Sequence, residues 1–157
     1  MSMIKIVSGG QTGVDRAALD AALDLGVECG GWSPAGRKAE DGIIPDRYPL
    51  KELERAGYRQ RTIKNIEDSD GTTIIYFGFP TGGTELTLSS CIKQQKPYLL
   101  IDATEFLPDR AAQRLTEFIA LHEITVINFA GPRASGHQHA YSYTYDVATR
   151  MISELAK

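Results

Sequence analysis

The chain has 157 residues, 42% of them hydrophobic and 24% charged, and 17 basic against 20 acidic side chains leave a formal net charge of -3. That length can bury a core without disulfide or metal staples, and the acidic balance speaks against a dedicated nucleic-acid binder, whose footprint is basic. The cysteines are Cys29 and Cys91 alone, which suits reduced thiols in a cytoplasmic protein rather than a disulfide framework. Nothing at the N-terminus reads as a signal peptide, and no apolar run approaches the ~20 residues that span a bilayer, so no membrane partner is expected.

Residues 3–8 are rich in Ile and Val and predict a buried strand. Residues 14–25 predict a helix: Val14, Ala18, Leu19, Ala22, Leu23 and Leu25 recur at helical spacing, and Gly26 supplies the stop. Residues 27–32 predict a second strand. From Ser33 to Leu50 the chain is broken by Pro34, Gly36, Gly42, Pro45 and Pro49 and predicts a long irregular loop. Short helices are expected over 50–56 and 62–68. Then come a strand at 72–77, a helix over 84–95, a strand at 98–101, a helix over 109–121 opened by Pro108, a strand at 125–129 and a last helix over 139–156. This alternation, with continuously apolar strands, predicts an α/β fold: a doubly wound, mainly parallel sheet in one domain spanning 1–157. Ligands bind such sheets outside the carboxyl ends of the strands. The loops after strands 3–8, 72–77 and 125–129 should therefore open on one edge, joined by the loop after the second strand.

Those loops carry the unusual residues. The first is Ser8-Gly9-Gly10-Gln11-Thr12-Gly13-Val14-Asp15-Arg16. Glycines let backbone approach a ligand, and a helix N-terminus favours an anion. Neither the Walker A pattern nor G-x-G-x-x-G is present. Thr12 also suits a helix cap, with Asp15 complementing the dipole, but Arg16 in a first turn opposes that dipole and points to an anion. The second loop, Pro80-Thr81-Gly82-Gly83-Thr84-Glu85, repeats the arrangement, with Thr84 as the alternative cap. The third, Ala130-Gly131-Pro132-Arg133-Ala134-Ser135, offers an arginine that could fork onto a phosphate or carboxylate. A lone Trp32 is expected in the core. His137 and His139 lack further ligands at metal spacing, so no metal site is expected. Tyr141 and Tyr145, one helical turn apart, are expected to pack.

Taken together, "SGGQTGVDRAALDAA", "GGWSPAGRKAEDG", "RTIKNIEDSDGTTI", "PTGGTELT" and "AGPRAS" resemble the molybdenum carrier family, a circularly permuted branch of the SLOG superfamily of Rossmann-like nucleotide-binding proteins. The resemblance runs from about residue 4 to the last helix. It implies a binding protein for a small phosphorylated, nucleotide-like ligand, with molybdenum cofactor (molybdopterin) or a nucleotide as the bound molecule, and a homo-oligomer. The ligand-binding positions it implies are Gly9, Gly10, Gln11, Thr12, Gly13, Asp15, Arg16, Gly36, Arg37, Gly82, Gly83, Thr84, Glu85, Arg133 and Ser135; Thr81 joins them from the second loop. Two alternatives stand beside it: a nucleotide second-messenger sensor, and a nucleoside 5′-monophosphate phosphoribohydrolase using Glu85 and Asp15 as its carboxylates. SLOG phosphoribohydrolases carry P-G-G-x-G-T-x-x-E. Here the inner glycine is missing, Glu85 directly follows Thr84, and Thr87 stands where their glutamate would.

Overall fold

The computed structural model describes residues 4–157, so Met3, at the start of the first expected strand, lies outside them. Five strands form a central sheet: β1 (Lys5–Val7), β2 (Glu28–Gly30), β3 (Gly71–Tyr76), β4 (Tyr98–Asp102) and β5 (Val126–Ala130). Every pairing in it is parallel, and the spatial order is β2-β1-β5-β3-β4. The helices are α1 (Val14–Leu25), α2 (Tyr58–Glu67), α3 (Gly83–Gln94), α4 (Pro108–Leu121) and α5 (Ala140–Leu155).

This order is a permutation of the common doubly wound one. If the last strand came first, the series would read 3-2-1-4-5. The final strand thus lies between β1, which winds out to one edge, and β3, which winds out to the other. The reversal of winding leaves a crevice at the carboxyl end of β5, the place where open α/β sheets bind their ligands.

Burial of both sheet faces explains why the strands are mostly apolar, with Thr72, Thr73 and Asn128 as buried polar exceptions. Ile6, Ile74, Ile75, Ile101, Ile127 and Phe129 are almost fully buried. On one face α5 packs against both α1 and α4, through residues such as Leu19, Leu115, Val147 and Met151. A smaller cluster of Ile66, Ile74 and Cys91 forms where α2 and α3 cover the sheet. Cys29 and Cys91 are both buried free thiols.

Three expectations need correction. No helix covers 50–56: Lys51–Glu52 pairs in parallel with Trp32–Ser33, and Leu53 N–H donates to the Ser33 carbonyl at 2.9 Å. A long-range backbone ladder here overrides local helical preference. The next helix also starts earlier than 62, at Tyr58, where the Gln60 side chain accepts the Gly57 N–H at 3.0 Å. Trp32 is only partly buried; its indole N–H donates to Asp68 at 2.7 Å, and Lys51 and Lys64 lie over the ring at 5.7 and 5.5 Å. Cation–π contact with two lysines rewards a tryptophan that stays at the surface.

The segment 33–50 is irregular but tightly tied. It contains a short 3₁₀ turn, Ala35–Arg37, and a two-residue antiparallel pair, Lys38–Ala39 with Gly42–Ile43. The Arg37 guanidinium donates to the carbonyls of Ile44, Pro45, Tyr48 and Leu50 at 2.8–3.2 Å. One planar fork with five donors gathers four carbonyls that have no strand to pair with.

Candidate functional site

A cleft of about 300 Å³ opens at the crevice beyond β5. The loops after β1, β3 and β5 all reach it, and α2 supplies the remaining wall through Tyr58, Arg59, Arg61, Thr62 and Asn65. The long loop after β2 does not line it.

The first glycine loop is filled by the protein itself. Gln11 N–H donates to the Asp15 carboxylate at 3.3 Å, Thr12 N–H to Gln11 Oε1 at 3.0 Å, and Val14 N–H to the Pro132 carbonyl at 3.1 Å. Its glycines serve close approach of chain to chain. A Cβ on Gly9 would lie 1.8 Å from Arg61 Nη1, and one on Gly13, where φ is 80°, would lie 2.5 Å from the Pro132 carbonyl oxygen. Arg61 crosses Gly9 to reach Asp15 at 3.0 Å, and both side chains are largely buried. Burial pushes the Asp15 carboxyl up, against the Arg61 charge and the amide hydrogen bonds that pull it down. The Arg61 Nε is buried and has no acceptor.

Arg16 is also occupied. Its Nη atoms fork onto both Asp41 carboxylate oxygens at 3.0 and 3.1 Å, and its Nε donates to the Gly10 carbonyl at 3.0 Å. The charge that opposed the helix dipole in the sequence is therefore met by a carboxylate of the long loop.

The second loop is different. Gly82 is the residue preceding α3, with φ 53°, and no side chain caps the helix. A Cβ on Gly82 or Gly83 would meet nothing within 4 Å. Among the described residues, the N–H groups of Gly83 and Glu85 find no acceptor, while those of Thr84 and Leu86 turn back to Thr81 and Gly82. The unpaired Gly83 amide and the amino end of the helix dipole thus face open space in the cleft. Thr84 lines the cleft instead of capping the helix, and Thr12 does not cap α1 either. Glu85 is exposed and does not line the cleft, whereas Thr87 does, its hydroxyl donating to the Gly83 carbonyl at 3.0 Å.

The third loop contributes Gly131, Pro132 and a half-exposed Arg133 to the cleft. Ser135 points elsewhere: its hydroxyl and N–H donate to Glu40 at 2.6 and 3.1 Å. Thr12 also donates to Glu40, and Arg133 Nε lies 4.0 Å from it. Desolvation raises the Glu40 carboxyl, but these hydrogen bonds and the nearby guanidinium outweigh it and hold it below the usual glutamate range. Glu40 thereby ties the long loop to the first and third loops.

Of the residues expected at the site, the cleft brings together Gly9, Gln11, Asp15, Thr81, Gly82, Gly83, Thr84 and Arg133. Gly10, Thr12, Gly13, Arg16, Gly36, Arg37, Glu85 and Ser135 do not line it. Arg59, Arg61 and Asn128 line it without having been expected. A lone asparagine inside the apolar strand Val126-Ile127-Asn128-Phe129-Ala130 was the available signal for the last. Arg61 opens the stretch "RTIKNIEDSDGTTI", which was its signal, but the role itself rests on a contact 46 positions away that the local residues do not show.

Among the described residues, no cluster of His, Cys, Asp and Glu could hold a metal ion, and no helix is long and apolar enough to cross a membrane. His137 stacks on Phe77, with ring centroids 3.6 Å apart. Tyr141 and Tyr145 stack at 6.1 Å and donate to Asp20 and Asp24. A larger groove of about 660 Å³ between α4 and α5 shares no residue with the glycine loops.

Sheet order and cleft together define a Rossmann-like α/β protein with a permuted strand series and a crevice at its switch point. The model of the circularly permutated YpsA SLOG family matches residues 6–152. A crystal structure of a "Putative molybdenum carrier protein" from Syntrophus aciditrophicus SB, at 1.45 Å resolution, is 42% identical; the match covers 96% of each chain with a TM-score of 0.93. No curated protein matches. The chain belongs to the circularly permutated YpsA SLOG family.

Proposed function

We propose that the chain binds a small phosphorylated ligand, with its anionic group on the amino end of α3, and that molybdenum cofactor is the cargo for which this site is built. The observation that carries the reading is the open end of α3. Among the described residues, nothing comes within 4 Å of a Cβ placed on Gly82 or Gly83, the amides of Gly83 and Glu85 have no acceptor, and no side chain caps the helix. Arg59, Arg61 and Arg133 line the same cleft, and among the described lining residues Asp15 is the one acidic side chain. A local excess of positive charge in a chain of net charge -3 favours an anion at this one place. The carrier name of the Syntrophus protein supports the choice of cargo.

Binding is favoured over hydrolysis of an N-glycosidic bond by the same geometry. Glu85 is exposed outside the cleft, and Asp15 is held by Arg61. Thr87, at the position of the hydrolase glutamate, has no acid to offer.

Equilibrium dialysis against molybdenum cofactor and a panel of nucleoside monophosphates tests the proposal, with Gly83→Asp as the control. An aspartate in the first turn complements the helix dipole, so the variant should melt no lower than wild type. Its carboxylate would fill the open space and repel an anion. Binding that survives Gly83→Asp unchanged, or no binding by wild type, rejects the reading.

A further inference from the structure

The anion subsite leaves part of the cleft unexplained. Asn128 lies on β5 in register with Thr72 of β3 and is 3% exposed. Its Nδ2 donates to Thr72 Oγ1 at 3.2 Å. Asn128 lines the cleft, and its Oδ1 accepts nothing among the described residues. Thr84, 7% exposed, also lines the cleft, and its hydroxyl has no partner among the described residues. Thr87 is equally buried, but its hydroxyl is already spent on the Gly83 carbonyl.

A carboxamide oxygen that makes no hydrogen bond within the protein is left to accept one from whatever enters the cleft. An ionised phosphate cannot donate one, because it only accepts hydrogen bonds. Whatever sits on Asn128 must therefore be a different part of the ligand from the part that sits on α3. A carboxamide oxygen and a hydroxyl in one cleft complement an edge that presents N–H next to C=O. We infer that the cleft reads a lactam N–H of a heterocycle through Asn128 Oδ1, with Thr84 available to the adjacent carbonyl, while the phosphoryl group of the same molecule occupies the amino end of α3. The cleft volume, at the small end of known ligand sites, limits that molecule to one ring system and one phosphorylated arm. This inference rests on the phosphate reading above and names the other half of the ligand.

Isothermal titration calorimetry on the wild-type chain compares four probes: inorganic phosphate, ribose 5-phosphate, GMP and 1-methyl-GMP. GMP should bind about tenfold more tightly than ribose 5-phosphate, the scale of one buried hydrogen bond made instead of missed. In 1-methyl-GMP a methyl group replaces the N–H, and the advantage should vanish. Asn128→Ala, checked by its melting curve, should bind GMP and 1-methyl-GMP alike while keeping its affinity for phosphate. The methylated probe gives a decision on the wild-type protein even if that variant does not fold. Equal affinity for GMP and ribose 5-phosphate, or a GMP preference indifferent to methylation, overturns the inference and leaves phosphate binding standing. Failure of all four probes overturns both.

Discussion

Arg61 passes over Gly9 to reach Asp15, and that crossing is why a side chain at position 9 is excluded. The pair is nearly dry, so removing one member leaves a buried charge without compensation. Arg61→Ala should cost about 3–5 kcal/mol of stability. The pH dependence has a definite sign. Burial already raises the Asp15 carboxyl, and losing Arg61 raises it further. A folded pKa above the unfolded one means the folded state holds the extra proton, so stability falls as pH rises through that interval. The deficit of Arg61→Ala relative to wild type should therefore be smaller at pH 4 than at pH 7 in urea unfolding. A deficit that is equal or larger at pH 4 would mean that Asp15 is not the group left behind.

At the scale of elements, the segment 33–50 shows how a loop without regular structure is held. Arg37 satisfies four of its carbonyls, and Glu40 fastens it to two neighbouring loops. Lysine carries the same charge as Arg37 but no planar fork. Arg37→Lys should speed amide exchange across residues 38–50 while leaving the strands protected; unchanged exchange would show that charge alone suffices. Glu40 has a folded pKa below its ordinary value of 4.5, so its contribution is present above that value and lost as pH falls beneath it. The link from Glu40 to Ser135 and Thr12 should thus loosen selectively in acid. In Glu40→Gln that acid-specific gain in exchange at residues 38–50 should be absent.

At the scale of the whole molecule, the final strand sits in the middle of the sheet and the final helix covers both α1 and α4. The last quarter of the chain is therefore the keystone of the core. Met151 is fully buried on α5, and Met151→Ala should cost about 2–5 kcal/mol. Removing residues 140–157 should abolish the cooperative thermal transition instead of merely lowering its midpoint. A truncated chain that still melts cooperatively would mean that the remaining layers bury enough surface by themselves. The same central placement puts Asn128 and the loop of Arg133 beside the open end of α3, so the proposed binding cleft and the core share one junction.

Sequence by itself determined the alternation of strands and helices, the parallel sheet and the loops that meet at its edge. Each of these follows from local periodicity and from glycines that punctuate it, as in Val14–Leu25 ended by Gly26. The short strand Lys51–Glu52 escaped that reading because it exists only through its partner Trp32–Ser33. Tertiary structure alone decided which glycine loop stays open. "SGGQTG" and "PTGGT" look alike as strings, yet Arg61, Leu50 and Pro132 crowd Gly9, Gly10 and Gly13 of the first, while no described residue comes within 4 Å of a Cβ placed on Gly82 or Gly83 of the second. Whether the space beside a glycine is open depends on what the rest of the chain folds against it, and local residue type does not encode that.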